Sequence, residues 1–169
     1  MSETITLERK NIFDAVTQFF ITDKWTVNQV EDQPVFSTLH TGENGSYRCF
    51  AEAWDDKDGS FIFYSYIGNK IPSKKIQVAS EFINRANYGL TLGNFEIDLS
   101  DGEIRYKTSV RMADGELTYR MIGKLIWGNL NTVDRYAAGV MSIIYSDISA
   151  EDAIHCIENP EESEEESNN

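Results

Sequence analysis

The sequence predicts an α+β protein: an antiparallel β-sheet of about five strands with helices packed mainly on one face. Two observations lead to this prediction. Several runs alternate apolar and polar residues and are separated by turn signals, whereas other stretches repeat apolar residues every three or four positions. Their order along the chain is α-β-β-β-α-β-β-α-α. Hairpins flanked by helices are typical of an α+β fold.

The first predicted helix runs from Thr6 to about Asp23. Thr6 is a plausible N-cap, and the apolar residues of the stretch fall on one helical face. They are Ile12, Phe13, Val16, Phe19 and Phe20. The segment "KWTVNQVED" that follows is a weaker candidate for a short strand.

Three strands follow, at residues 35–41, 47–54 and 61–67, each rich in β-branched and aromatic residues. The Asn44-Gly45 pair between the first two is a strong hairpin signal. The stretch "DDKDG" predicts the second turn.

A second helix is predicted within "KIPSKKIQVASEFINRANYG", with Ser73 as its cap and Gly89 at its C-terminal end. The next hairpin pairs residues 95–99 with residues 104–112 around "SDG". Its alternation predicts one buried and one solvated face. On the solvated face, acidic Glu96 and Asp98 can pair with basic residues of the second strand.

Apolar residues then recur at helical spacing from Ile122 to Ile144. They predict one long helix, or two nearly collinear helices with a kink at Gly128. Ser149 and Asp152 form an acidic variant of the capping box and begin a short last helix.

Pairing of Trp54 with Ser60 across the second turn would place an aromatic set on one face of the sheet, interrupted by Arg48 and Glu52. Tyrosine and tryptophan tolerate both water and contact, so this face is a candidate interaction surface. Alternatively, another helix or the chain's own tail covers it. The candidate partner-binding residues are Phe50, Trp54, Ile62, Tyr64 and Tyr66 on the sheet, and Asn131, Asp134 and Arg135 on the long helix.

Composition predicts one domain, residues 1–157, followed by a disordered acidic tail, residues 158–169. The 169 residues are 41% hydrophobic and carry a net charge of −13, of which six glutamates in the tail contribute part. This charge argues against a nucleic-acid or anionic-membrane partner. The tail either keeps the protein soluble, tethers a basic partner or blocks a basic groove.

The sequence contains no strong motif for metal binding or catalysis. "DDKDG" and "DLSDGE" do not place calcium ligands at the spacing that an EF-hand requires, and neither His40 nor His155 has a second ligand at zinc spacing. We therefore predict no metal, no cofactor and no catalytic residue. Without a secretory signal or membrane span, cytoplasmic residence with two buried, reduced thiols, Cys49 and Cys156, is expected.

Residues from about Trp25 to Ile154 resemble the YbjN family. The stretch "NKIPSKKIQVASEFINRANYGLTLGNFEIDLSDGEIRYKTSV", followed by "NLNTVDRYAAGVM" and "SAEDAI", carries the resemblance. The resemblance implies a fold similar to type III secretion chaperones, commonly dimeric, and a loosely defined role in bacterial sensory transduction or stress regulation. It supplies no catalytic residues.

Three functions follow as hypotheses. The first is a non-enzymatic protein-binding module, chaperone-like or regulatory adaptor, that acts as a homodimer on a protein client. The second is a small-ligand sensor with an apolar cavity between sheet and helices. The third is a small hydrolase that uses Cys49, His40 or carboxylates in a cleft.

Overall fold

A computed structural model describes residues 11–55, 59–112 and 116–159. The helices are α1 (Ile12–Thr22), α2 (Ile76–Gly89), α3 (Tyr119–Tyr145) and α4 (Ala150–Glu158). The strands are β1 (Asn28–Gln29), β2 (Val35–Thr41), β3 (Ser46–Trp54), β4 (Ser60–Ile67), β5 (Asn94–Ile97) and β6 (Ile104–Arg111).

The strands form one six-stranded antiparallel sheet in the order β1-β2-β3-β4-β6-β5. The extra strand relative to the prediction is the two-residue β1. Trp54 pairs with Ser60, which confirms the predicted β3–β4 register. The structure thus confirms the α+β class.

The core lies between the sheet and the helices. Alternate residues of β3 and β4 are buried on that side: Cys49, Ala51, Ala53, Phe61 and Phe63. Helix α3 packs on β4 and β6, α1 packs on α3 and β3, and α4 packs on α2 and α3. Small residues on β3 opposite phenylalanines on β4 allow the helices to approach the sheet closely.

Helix α1 begins after Asn11, whose side chain accepts the N–H of Asp14 at 3.2 Å. The expected cap at Thr6 lies outside the described residues. Ser149 caps α4 by accepting the N–H of Asp152 at 3.1 Å, as predicted. Ser73 is instead the first residue of a 3₁₀ turn whose N-cap is Pro72, and the α-helix starts only at Ile76.

Helix α3 is a single helix of 27 residues that passes through Gly128 without a break. The glycine serves close packing. A Cβ atom at this position would lie 2.7 Å from Cδ2 of Leu92. Helix α3 is therefore one continuous helix and not two collinear helices with a kink at Gly128.

The outer edge of β5 is closed by a side chain. Asn87 of α2 accepts the N–H of Phe95 at 2.7 Å and donates its amide to the Phe95 carbonyl at 3.1 Å. The Asn87 side-chain amide thus makes with Phe95 the two backbone hydrogen bonds that a neighbouring strand would make. Exposed strand edges invite pairing with other chains, so Asn87 protects this edge.

Asn87→Ala is expected to lower the free energy of unfolding by about 1 to 3 kcal/mol, because two hydrogen bonds are lost and the edge of β5 is uncovered. Urea denaturation followed by circular dichroism measures the change. Tyr88→Ala is the matched control, since Tyr88 is 96% exposed on the same helix. Equal stability of the two variants would contradict the protective role of Asn87.

Candidate partner-binding surfaces

The first candidate surface is the side of the sheet that points away from the helices, here called the outer sheet face. Within the described part of the chain, all helices pack on the opposite side. The outer sheet face is formed by Arg48, Phe50, Glu52, Trp54, Ile62, Tyr64, Tyr66, Glu96, Arg105 and Lys107. The predicted aromatic set therefore lies together on one face, as the register required.

Two arginines are stacked on the rings of this face. The Arg105 guanidinium lies 4.4 Å from the ring centroid of Tyr64, and that of Arg48 lies 5.5 Å from Tyr66 and 5.6 Å from Phe50. Phe50 meets Tyr66 edge to face at 5.7 Å. These contacts hold the aromatic side chains in place before any partner arrives.

Hydrogen bonds hold Arg105 and Lys107, two cationic residues of β6, in place on the outer sheet face. Arg105 donates from Nε to Glu96 at 2.7 Å and from a terminal nitrogen to the Tyr66 hydroxyl at 3.0 Å, and Lys107 also donates to Glu96. Partial burial acts to raise the pKa of Glu96, but the bonds from Lys107 and Arg105 outweigh it and lower that pKa below its usual value. The predicted cross-strand pairing is confirmed for Glu96, whereas Asp98 instead binds Ser100 within its own turn.

Trp54 lies at the end of β3 and is 38% exposed. Its indole N–H donates to Glu52 at 3.0 Å. The indole ring is thus oriented but still accessible to a partner.

The second candidate surface is an open groove of about 810 Å³ between the β2–β3 hairpin, α3 and α4. Asn131, Asp134 and Arg135 all line it. It lies on the helix side, so the structure separates the predicted residues into two surfaces. Arg135 is exposed and donates to the Ile157 carbonyl at 3.3 Å.

Asp134 is engaged within the protein. Its carboxylate accepts the N–H groups of Glu43 and Asn44, each at 2.9 Å, and the hydroxyl of Tyr47 at 2.6 Å. Burial acts to raise the pKa of Asp134, but the Tyr47 hydroxyl and the two backbone N–H groups outweigh it, so the pKa is lowered. Asp134 therefore clamps the tip of the β2–β3 hairpin to α3.

An aromatic cluster beside the groove was missed from the sequence. The rings of Trp25 and Trp127 lie 5.4 Å apart, and His40 lies 6.4 Å from the first and 6.3 Å from the second. Trp127 is 44% exposed. The three residues come from distant parts of the chain, so no local pattern indicates the cluster.

The two thiols occupy different environments. Cys49 is buried, and burial raises the pKa of its thiol to about 11. Cys156 is exposed, which contradicts the expectation of two buried thiols. Helix α4 turns Ala150 and Ala153 toward the core, and Cys156 falls on its solvated side.

In the described ranges 11–55, 59–112 and 116–159, no group of three or more His, Cys, Asp or Glu side chains has the arrangement to hold a metal ion. None of the described helices combines the length and apolar character needed to cross a membrane.

Several solved structures match the fold of this chain. It is similar to the solved "Crystal structure of YbjN, a putative transcription regulator from E. coli", with a TM-score of 0.54 and 11% identity, covering 78% of this chain and 87% of that one. It also matches the HopA1-SchA chaperone-effector complex (TM-score 0.47, 12% identity, 72% of this chain and 90% of that one). A third match is the ExsC-ExsE complex (TM-score 0.49, 10% identity, 77% and 93%).

Among curated proteins, none matches the sequence. The profile of the YbjN family, described as "Putative bacterial sensory transduction regulator", matches residues 13–140. That range contains most of the described strands and helices. It also contains every candidate residue on both surfaces. The chain belongs to the YbjN family.

Proposed function

We propose that this protein is a non-enzymatic protein-binding module, a chaperone-like or regulatory adaptor, that forms a homodimer and binds a protein client. The aromatic outer sheet face, on which none of the described helices packs, carries the proposal. The description of the family as a regulator supports it.

The residue types of this face suit protein recognition. Tyrosine, tryptophan and arginine dominate the few contacts that supply most binding energy in protein interfaces. Here Arg105 stacks on Tyr64, and Arg48 stacks on Phe50 and Tyr66. Because these side chains are already ordered, a partner that covers them causes little further loss of conformational entropy.

The groove beside α3 is a less suitable place for a small ligand. Its lining includes the charged or polar side chains of Glu43, Asn44, Asn131, Asp134 and Arg135, and it is open to solvent. Small-molecule sites are usually concave and mostly apolar. The space between sheet and helices, where a sensor cavity was expected, holds the packed core.

A nucleophilic role for Cys49 is also disfavoured. The thiolate is the reactive form, and a pKa of about 11 leaves the thiol protonated at neutral pH. Its sulfur lies 3.3 Å from the hydroxyl of buried Ser65, inside the core. This position suits packing better than access to a substrate.

Trp54→Ala combined with Tyr64→Ala is expected to weaken client binding by about 30-fold or more, because truncation of an interface hot spot costs about 2 kcal/mol or more. The full chain, wild type or variant, serves as bait in extract of its native cell, and captured proteins are quantified by mass spectrometry.

Tyr88→Ala is the control for that experiment, since it removes a tyrosine that is 96% exposed on the helix side. A client that binds the control but not the double variant supports the proposal. If the folded double variant captures the same proteins in the same amounts, the outer sheet face is not the client site.

A further inference from the structure

We propose that the exposed face of α3 is a binding site for acidic peptide segments, and that residues 160–169 of the same chain, the acidic segment after α4, occupy it. The site lies on the helix side and does not depend on the outer sheet face. It includes the α3 wall of the open groove and continues beyond the groove toward the N-terminal end of the helix.

One face of α3 is exposed along most of the length of the helix. Its exposed side chains recur every three or four residues, a spacing that places them on one side of a helix. They are Arg120, Lys124, Trp127, Asn131, Arg135 and Ala138. These six residues are here called the α3 ridge. Three of the six are cations and none is acidic.

The cations of the α3 ridge are unpaired within the part of the chain that the structure describes. None of the salt bridges between described residues involves Arg120, Lys124 or Arg135. The cations that do form salt bridges are Arg48, Lys70, Lys75, Arg85, Arg105 and Lys107. In a chain with a net charge of −13, a row of unpaired cations attracts a negatively charged segment.

The acidic side chains beside the groove lie toward the hairpin. Asp134 is the only acidic residue of α3, and its carboxylate accepts the N–H groups of Glu43 and Asn44 and the hydroxyl of Tyr47. The Glu43 side chain lines the groove from the tip of the β2–β3 hairpin. The α3 ridge itself therefore stays cationic.

Acidic residues of other elements that contact α3 are held at its edges. Asp23 accepts the hydroxyl of Tyr119, and Glu158 accepts the hydroxyl of Tyr136 at 2.8 Å. Glu116 is exposed and lies before the first turn of the helix. These carboxylates border the α3 ridge but do not form salt bridges with its cations.

Helix α4 brings the chain to one end of the groove part of this ridge. It runs antiparallel to α3, because it begins after α3 ends and its last turn lies beside Gly139 and Arg135. A Cβ atom at Gly139 would lie 2.4 Å from Cδ1 of Ile157, and Arg135 donates to the Ile157 carbonyl at 3.3 Å. The chain therefore leaves α4 next to Arg135 and is directed toward the N-terminal half of α3.

Residues 160–169 match the α3 ridge in charge and in length. They contain no basic residue and five glutamates, which are Glu161, Glu162, Glu164, Glu165 and Glu166. Ten extended residues span up to about 33 Å. Arg135 lies about 22 Å from Arg120 along the helix axis. The segment can therefore reach every cation of the ridge.

The covalent link makes this contact stronger than its ion pairs alone. A single exposed ion pair contributes little to binding, and salt screens it. A segment that is joined to α4 next to the ridge is held at an effective concentration in the millimolar range. The chain's own segment therefore occupies the ridge, and an acidic segment of another molecule binds there only by displacing it.

Paramagnetic relaxation enhancement in the full chain measures where the segment lies. A nitroxide is attached at Asn168→Cys, with exposed Cys156 replaced by serine and buried Cys49 left in place. In about 0.01 M salt, the amide signals of residues 120–131 should lose about half or more of their intensity. In about 1 M salt they should recover, because the screening length falls from about 30 Å to about 3 Å.

Arg120→Glu combined with Lys124→Glu should abolish the loss of intensity at low salt. Arg48→Glu combined with Lys74→Glu is the matched control, because it makes the same change in net charge at two exposed cations outside the α3 ridge. Full intensity on α3 in the chain that keeps all four cations would overturn the proposal, and so would equal losses in the two double variants. A loss that persists between spin-labelled and isotope-labelled chains in a mixture would also overturn it, because the occupant would then belong to another copy.

A synthetic peptide of residues 160–169 tests the competition. It is titrated into the full wild-type chain and into a full chain whose five glutamates in this segment are replaced by glutamine, and the shifts of the α3 amide signals are followed. The apparent dissociation constant should be about tenfold or more lower for the neutralised chain, because the tethered segment no longer competes. Equal dissociation constants would show that the segment does not occupy the site.

Discussion

Asn129→Asp is expected to leave most of the protein unfolded at neutral pH. Asn129 is fully buried on α3, and its amide nitrogen donates to the carbonyls of Phe63 at 2.9 Å and Tyr106 at 3.2 Å. Aspartate replaces this donor with a negative oxygen that faces carbonyl oxygens. An uncompensated buried charge costs about 3 to 5 kcal/mol, a large share of the 5 to 15 kcal/mol that stabilises a typical domain.

The effect should depend on pH in a predictable direction. Burial favours the neutral acid, so the pKa of the introduced carboxyl in the folded state is raised above its unfolded value of about 3.9. The part of the destabilisation that comes from the charge is therefore absent below the unfolded pKa and grows as the pH rises above it. Urea unfolding at pH 4 and pH 7, each compared with wild type at the same pH, measures this difference.

Asn131→Asp is the matched control, because it makes the same chemical change on the exposed side of the same helix. The control should stay within about 0.5 kcal/mol of wild type, as surface substitutions usually do. If Asn129→Asp is as stable as Asn131→Asp at pH 7, the buried amide does not have the role assigned to it.

The sheet face was predictable because it depends on local sequence. The side-chain period of a strand is two, and the hairpin turn fixes which residues of β3 and β4 face each other. Once Trp54 pairs with Ser60, the positions of Phe50, Tyr64 and Tyr66 follow without further information. The long helix was predictable for the same reason, because its apolar spacing is continuous.

The roles of polar residues on α3 were not predictable in this way. Asp134 bonds to backbone groups about 90 residues away, and Asn129 bonds to Phe63 across 66 residues. Helical spacing gives the direction of a side chain but not the element that it meets. The sequence therefore suggested Asp134 as a partner contact, although its carboxylate is already bound to the β2–β3 hairpin.

Asp134→Asn is expected to destabilise the protein by about 2 to 3 kcal/mol at pH 7. The carboxylate accepts three hydrogen bonds, from Glu43, Asn44 and Tyr47, and hydrogen bonds to charged groups contribute more than neutral ones. A neutral amide has one oxygen with which to accept them, and its nitrogen would face donors. The free energy of unfolding in urea measures the loss.

The difference between wild type and Asp134→Asn should itself depend on pH. The folded pKa of Asp134 is lowered, so its contribution is fully present above the unfolded value of about 3.9 and is lost as the pH falls through the folded pKa. The stability difference should be constant between about pH 5 and pH 7 and should shrink below about pH 4. A difference that stays constant down to pH 3 would contradict the assignment.

Gly42→Ala provides an independent test of the same clamp from the opposite side. A Cβ atom at Gly42 would overlap the Asp134 carboxylate, whereas one at Gly68 would meet no other atom within 4 Å. Gly42→Ala should therefore reproduce much of the Asp134→Asn effect, and Gly68→Ala should not. Because Gly42→Ala and Asp134→Asn disturb one set of hydrogen bonds, their combination should destabilise the protein by less than the sum of the two single effects. Full additivity would show that they act on separate features.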